Sequence, residues 1–430
     1  MSKPLRVGVA GLGTVGAEVV RLLARQGDLI ASRCGRRIEV VAVSARDRLR
    51  DRGLALAGID WRDDALGLAG DPRIDVVCEL IGGADGVAHD LVGAALGAGK
   101  EVVTANKALL AHHGTALAEA AESKGVALGF EAAVAGGIPI IKALREGFAA
   151  NRIERVFGIL NGTCNFILTA MRDNRREFRK ALAEAQKLGY AESDPTFDIE
   201  GVDTAHKLAI LASVAFGTPV DFAGVHVEGI TQVGLIDIDF ARELGFHIKL
   251  LGVARVTEHG LEQRVHPCMV PIAHPIAHVD GSFNAVVVEG DFADRNMAVG
   301  RGAGAGPTAS AVVADLIDIA RRQRLPAFNV PVADLKALPR ASMDRHRGAY
   351  YVRFTVVDRP GVMADMTAAF RDAQVSIEAL IQRGRNPGDT VPVVMTTHDT
   401  EEAALGRALA RIAALKSTRE PPRMIRIEQF

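Results

Sequence analysis

Hydrophobic and polar residues alternate along this chain in three rhythms, and each predicts a different kind of structure. Through about the first 130 residues, short apolar runs at 5–10, 38–44, 74–80, 101–104 and 126–130 read as buried strands. A helical segment runs from the first glycines to Leu23, and Ala-rich helical stretches fill 87–98 and 109–123. Strand–helix alternation of this kind predicts a parallel sheet covered on both faces. From about 150 to 310 the rhythm changes. Helical patterns dominate from Asn165 to Phe216, then strand candidates follow at 249–256, 261–270 and 285–290. A second glycine run, 300–306, ends in Pro307-Thr308 and opens a helix over 309–320. Residues 333–349, rich in Arg, Pro and Ala, predict a linker. Residues 350–430 read strand, helix, strand, strand, helix, strand, at 350–357, 362–371, 375–381, 391–397, 401–415 and 424–427. That is the split βαβ, ferredoxin-like order.

Composition narrows the class without naming it. At 430 residues, 48 % of them hydrophobic and 24 % charged, the chain is an ordinary folded protein of two or three domains. A formal net charge of −1 gives no global field that would draw it to nucleic acid or an anionic membrane. The local bunch Arg321, Arg322 and Arg324 reads as a solvated helix end. Cys34, Cys78, Cys164 and Cys268 have no paired spacing, which suits reduced thiols in the cytoplasm. The first strand begins almost at once, with no signal-peptide pattern. No apolar, charge-free stretch of roughly 18 residues follows.

The sharpest local motif is Gly11-Leu12-Gly13-Thr14-Val15-Gly16, which follows the first strand and opens the first helix. This is the dinucleotide fingerprint in its required context. The first glycine makes the tight turn, the second lets a pyrophosphate approach the backbone, and the third lets helix and strand pack closely. The second strand does not end in an acidic residue but in Ser44-Ala45-Arg46. A small residue followed by a guanidinium suits the 2′-phosphate of NADP better than the free ribose of NAD. Arg46 is therefore the candidate selector, with a solvated turn arginine as the alternative.

A second motif spans 189–207 and gathers carboxylates and a lysine into a loop that feeds a helix. Asp203 and Lys207 are four apart and share one side of that helix. On a surface they would be a minor ion pair. The run Leu208-Ala-Ile-Leu-Ala-Ser-Val-Ala-Phe216 instead predicts a buried helix, which places Lys207 near a covered site. A lysine taken partly out of water can carry protons near neutral pH.

Together, 11–16, Thr104-Ala-Asn-Lys107, Gly158-Ile-Leu-Asn-Gly-Thr163-Cys-Asn-Phe-Ile, 190–207 and 302–308 resemble homoserine dehydrogenase, in that family's order and spacing. The resemblance covers roughly residues 5 to 330. It implies NAD(P)-dependent interconversion of L-homoserine and L-aspartate 4-semialdehyde. It implies that Lys207 gives and takes the proton at the substrate oxygen, that Asp203 assists, and that Lys107 stands between cofactor and substrate. Glu192 and Asp198 would bind the substrate ammonium. Gly189, Glu192, Lys107 and Gly304 would meet the cofactor. The segment Glu131, Val134, Gly136, Ile138 resembles the family's sodium site, made mainly of backbone carbonyls. Asp358-Arg-Pro-Gly361 after the first strand of the last unit resembles the effector turn of an ACT domain. L-threonine is the expected effector.

The expected architecture is thus α/β. A Rossmann dinucleotide-binding domain spans 1–133, completed by a helix within 307–330. An α+β catalytic and dimerisation domain spans 134–306, a linker 333–349, and a ferredoxin-like ACT domain 350–430. The family resemblance implies a homodimer or homotetramer. With a free linker, a chain ending near Ala341 should stay active and lose its response to threonine. Two other readings compete. Cys164 could be the nucleophile of an aldehyde-acylating dehydrogenase such as aspartate-semialdehyde dehydrogenase, but no histidine base is close in sequence. A nucleotide-binding sensor without turnover would have no use for the lysine and carboxylate set. His274 and His278 lack further ligands at metal spacing.

Overall fold

The computed structural model describes residues 3–383 and 388–430. The first unit is a six-stranded parallel sheet. Its strands are β1 (Leu5–Ala10), β2 (Ile38–Ser44), β3 (Asp60–Arg62), β4 (Val76–Glu79), β5 (Glu101–Thr104) and β6 (Leu128–Gly129), in the order β3-β2-β1-β4-β5-β6. That is the doubly wound order of dinucleotide-binding folds. Its helices are α1 (Thr14–Cys34), the short α2 (Gly67–Gly70), α3 (Val87–Gly97) and α4 (Lys107–Lys124). The sequence pattern stops α1 at Leu23, yet the helix continues with a kink at Gln26. Buried Ile30 and Cys34 extend its apolar stripe to a left-handed Gly35 stop. The edge strand β3 escapes the pattern because Asp60-Trp61-Arg62 contains no apolar run.

The second unit begins with the short helical turn α5 (Ile140–Lys142) and strand β7 (Ile153–Ile159). Helices α6 (Gly162–Asn174), α7 (Phe178–Lys187), α8 (Thr196–Ile199) and α9 (Val202–Phe216) follow. Then come β8 (Val225–Val227), α10 (Leu235–Glu243), β9 (Phe246–Thr257), β10 (Gly260–Pro271), β11 (Phe283–Gly290) and β12 (Asp294–Arg301). The strands run β12-β11-β7-β9-β10, antiparallel throughout, and β8 pairs with β10. Every residue of α9 from Asp203 to Val214 is buried. Sequence patterning misses β12 because its side chains lie largely exposed on the sheet edge. Helix α11 (Ala305–Ala320) then returns to the first unit, where Val312, Leu316 and Ile319 share a core with Val7, Val19 and Leu23.

The third unit is β13 (Arg347–Val357), α12 (Val362–Asp372), β14 (Ile377–Gln382), β15 (Thr390–Thr397), β16 (Thr400–Glu401), α13 (Glu402–Ala413) and β17 (Arg423–Ile427). The expected βαββαβ order is present, with the small β16 added. The segment expected to be a linker is no free tether. The Leu261 N–H donates to the Pro339 carbonyl (2.8 Å), the Ala341 N–H donates back to Leu261 (3.0 Å), and β13 is already formed at Arg347. Gly260 has φ +115°, and a Cβ there would lie 2.1 Å from the Pro339 oxygen. Strand β17 lies parallel to β10, pairing Arg426 with Cys268 and Ile427 with Met269. The second and third units thereby share one continuous sheet.

That seam buries charge. Arg264, 1 % exposed, is paired with Glu428 and with Glu262 (2.9 Å). Arg155 also reaches Glu428 at 2.7 Å, and Arg426 donates to Glu402 at 2.7 Å and Glu228 at 2.9 Å. Burial alone would raise the Glu428 carboxyl, but the Arg264 guanidinium holds it down, to about 2. Among the described residues no helix is long and apolar enough to cross a membrane, and the four cysteines are free and buried.

Candidate active site

One cleft of about 600 Å³ brings together Lys107, Gly189, Glu192, Asp198, Asp203, Lys207 and Gly304, whereas Arg46, Glu131, Val134, Gly136, Ile138 and the Asp358–Gly361 turn do not line it. Val15, Ala105, Lys107, Ala132 and Ala133 approach from the first unit, and Gly302, Ala303, Gly304 and Thr308 from the start of α11. Asn161, Gly162, Thr163, Gly189, Glu192, Asp198, Asp203, Lys207, Ser282 and Asn284 come from the second unit.

Two of the three glycines of the first loop, Gly11 and Gly16, are required by the backbone. Gly11 has φ +94°, and a Cβ on it would lie 2.4 Å from the Leu80 carbonyl oxygen. A Cβ on Gly16 would lie 1.8 Å from the Gly11 oxygen, whereas one on Gly13 would meet nothing within 4 Å. Gly13 also caps α1 without a side-chain hydrogen bond, so the first N–H groups of the helix remain for an anion. Leu12 is buried and its carbonyl accepts from Arg52 (3.0 Å), while Thr14 is exposed. Arg46 is exposed just past the end of β2, whose last carbonyl, on Ser44, accepts from the Gly11 N–H (2.8 Å). These features fit a dinucleotide and its phosphates.

At the inner end of the cleft the charged residues converge. Lys207 Nζ donates to Asp203 Oδ2 at 2.6 Å and to the Leu160 carbonyl at 2.8 Å. Lys107 Nζ lies 3.2 Å from Asp203 Oδ1 and 5.6 Å from the centre of the Phe197 ring. One turn of α9 therefore presents a carboxylate clamped between two ammonium groups. Burial would raise the Asp203 carboxyl, but Lys207 and Lys107 hold it well below the usual carboxylate range. Asp198 lies differently: burial and the neighbouring Asp203 charge push its carboxyl up. Glu192 is exposed at the cleft wall, and Gly189, with φ +76°, turns the chain toward it.

Asn161 is a part that sequence reasoning quoted without a role. It caps α6, accepting from the Cys164 N–H, and its amide donates to both Asp198 Oδ1 (2.8 Å) and Asp203 Oδ2 (2.9 Å). The signal was present in Asn-Gly-Thr before an apolar helical run, which marks a helix cap. Ser282 and Asn284 have no sequence signal, and Arg301, within the glycine run 300–306, has no role assigned by it, since all three arrive on a different sheet strand or loop.

The segment read as a cation site is a buried turn. Ala135 and Gly136 are both left-handed (φ +55° and +46°), and the Gly137 N–H donates to the Arg301 carbonyl at 2.9 Å. The Glu131 carboxylate is occupied by the Ile141 and Lys142 N–H groups, at 3.0 and 2.7 Å. Burial, then Asp315, raise its carboxyl to about 7. Among the described residues the buried carbonyls of Val134 and Gly136 accept no hydrogen bond. Carbonyl oxygens without partners suit a hard cation.

The rival sites lead elsewhere. Cys164 is buried, its thiol donates to the Asp198 carbonyl (3.1 Å), and burial pushes it well up, away from a nucleophilic thiolate. His274 accepts from the Ile276 N–H and stacks on Phe430, while His278 contacts the Ile272 carbonyl. In the third unit, a separate cavity of about 260 Å³ is lined by 356–363, Gln382, Val391 and Val393. Gly361, φ +91°, starts α12 there with no side-chain cap.

A parallel sheet of this order, a fingerprint loop and a lysine–carboxylate cluster at one cleft define a nicotinamide-dependent oxidoreductase. Residues 11–131 match the family model for the homoserine dehydrogenase NAD binding domain, 139–317 that for homoserine dehydrogenase, and 350–417 that for the ACT domain. A homoserine dehydrogenase of Pseudomonas aeruginosa is 46 % identical over 437 residues, covering 100 % of both chains. A solved homoserine dehydrogenase from Thiobacillus denitrificans is 47 % identical, with a TM-score of 0.94 over 99 % of this chain and 98 % of that one. A hyperthermophilic archaeal homoserine dehydrogenase mutant in complex with NADPH is 25 % identical, with a TM-score of 0.63 over 74 % of this chain and 97 % of that one. The chain belongs to the homoserine dehydrogenase family.

Proposed function

We propose that this enzyme interconverts L-homoserine and L-aspartate 4-semialdehyde with NADP(H), using Lys207 as the proton carrier. The observation that carries this reading is the Lys207–Asp203–Lys107 cluster at the inner end of the cofactor cleft. The bound nicotinamide supplies hydride exchange with the alcohol carbon. As the neutral amine, after losing one proton to solvent, Lys207 Nζ takes the hydroxyl proton as the hydride leaves, and as the ammonium it returns that proton in the reverse direction. Asp203 holds both ammonium groups in place, Asn161 holds Asp203, and Lys107 sits between cofactor and substrate. Asp198 and Glu192 receive the substrate ammonium, and that positive charge would offset the repulsion between Asp198 and Asp203. Gly189, Glu192, Lys107 and Gly304 would border the cofactor. In Lys207→Ala, turnover should fall roughly 10²–10⁴-fold with the NADPH dissociation constant little changed. Near-normal turnover of the folded variant would remove Lys207 from the mechanism.

NADP over NAD is supported by Ser44-Ala45-Arg46 and by the NADPH bound to the archaeal relative. A sodium ion would lie on the carbonyls of Glu131, Val134, Gly136 and Ile138. The working units are 1–133 with the helix within 307–330, 134–306, and 350–430. The exposed β12 edge, carrying Met297 and Val299, supports a homodimer or homotetramer built through the second unit. Free thiols support a cytoplasmic setting. L-threonine would bind at the Asp358–Gly361 turn, where the uncapped start of α12 can receive a carboxylate.

A further inference from the structure

Two asparagines line the cleft, and they are used in opposite ways. Asn161 is fully engaged by Asp198, Asp203 and the Cys164 N–H. Asn284, on β11 and 1 % exposed, has no hydrogen-bond partner on either Nδ2 or Oδ1. A buried amide in that state costs free energy, because it has left water without gaining a partner. Space for it is made by two glycines. A Cβ on Gly302 would lie 2.0 Å from Asn284 Nδ2, and one on Gly162 would lie 3.4 Å from Oδ1. The amide is thus held between the two loops that form the cleft walls.

We propose that Asn284 binds the carboxamide of the nicotinamide ring. An ammonium can only donate and a carboxylate can only accept, whereas Asn284 needs one acceptor and one donor side by side. A carboxamide offers both in one plane. The position agrees: in this fold a dinucleotide runs from the Gly11–Gly16 loop across the carboxyl ends of the strands. Ala105, Ala132 and Ala133 lie along that course, and Gly302, which touches Asn284, lines the same cleft. The inference rests on the reading of this cleft as the cofactor site.

The test uses the full-length protein without substrate. Equilibrium binding is measured for NADP+ and for its 3-acetylpyridine analogue, in which a methyl group replaces the carboxamide nitrogen. The native protein should prefer NADP+ by about tenfold, one hydrogen bond's worth. Asn284→Ala should bind NADP+ about tenfold more weakly and lose the preference. Its melting temperature without ligand should not fall, because the amide has no partner there to lose. The same-shaped Asn284→Asp keeps an acceptor for the carboxamide nitrogen but loses the donor, so it should bind both more weakly and keep the preference. If Asn284→Ala retains the preference, or weakens homoserine binding alone, the assignment is overturned. If the native protein binds neither dinucleotide, the cofactor reading of the cleft fails instead.

Discussion

The catalytic cleft and the seam between β10 and β17 both bury clusters of opposite charge, but the clusters are built differently. At the seam every principal charge is closed by protein: Arg264 by Glu262 and Glu428, Arg155 by Glu428, Arg426 by Glu402 and Glu228. In the cleft, Lys207, Lys107 and Asp203 form a line beside a second carboxylate, Asp198, and the row faces open volume. Buried charge alone therefore does not mark a site. An incomplete set does, with a like-charged pair and one buried amide, that of Asn284, without a protein partner.

The comparison is most exposed to paired substitutions. Glu428→Ala should leave Arg264 buried with one fewer partner and cost about 3–5 kcal/mol of stability. Its kcat/KM per folded molecule should stay near normal. Asp198→Asn should do the reverse, raising the homoserine KM tenfold or more while stability holds or rises, because a like-charge repulsion is removed. Denaturant unfolding and steady-state kinetics on both variants would decide. Equal stability losses would show that the two clusters are the same kind of object.

Acid titration should separate the regions next. His206, beside Lys207 and packed on Phe222 and Phe197, is lowered from 6.5 to about 4, first by burial and then by His112 and Lys107. A histidine kept neutral in the fold gains a proton more easily when unfolded. Its contribution is whole above pH 6.5 and is lost as pH falls toward 4. Glu428, held near 2 against an ordinary 4.5, loses its contribution only between those values. Stability should thus decline in two steps, and His206→Gln should reduce the upper one by on the order of 2–3 kcal/mol, the buried His266 keeping the remainder. A single step near pH 3 in both proteins would contradict this.

Smaller effects test the edges of the molecule. Arg46→Ala should weaken NADP(H) about 10- to 150-fold and leave NAD(H) nearly unchanged, since a charge-assisted bond is worth ~1.5–3 kcal/mol. Equal loss for both cofactors would make it a surface residue. Gly361→Val should remove any threonine inhibition, a coupling of about 1–3 kcal/mol, with basal kcat intact. A native enzyme indifferent to millimolar threonine leaves the third unit a scaffold.

How far the sequence could lead follows from where each partner lies. Asp203 and Lys207 are one helical turn apart, and Gly11–Gly16 is a local loop, so both were legible. Asn284 becomes meaningful only against Gly162 and Gly302, and Glu428 only against Arg155 and Arg264, pairs separated by long stretches of chain. Strands β3 and β12 were invisible because edge strands need no apolar alternation. The Arg- and Pro-rich composition of 333–349 suggested a tether, but the backbone bonds around Leu261 fix it to β10. A chain cut near Ala341 should therefore lose stability, and activity with it. Such a cut would uncover the 268–269 end of β10, leave Arg155 without Glu428 and leave Arg264 with Glu262 alone.

The β10–β17 pairing also has a consequence during synthesis. On the ribosome, β10 emerges long before β17, so the catalytic half must wait with the 268–269 end of that strand unpaired on one side and Arg264 without Glu428. A chain released early keeps that edge open, and open edges invite aggregation and degradation. A chain that stops before β17 should therefore be cleared faster than the full-length enzyme, which a pulse-chase comparison of the two would check.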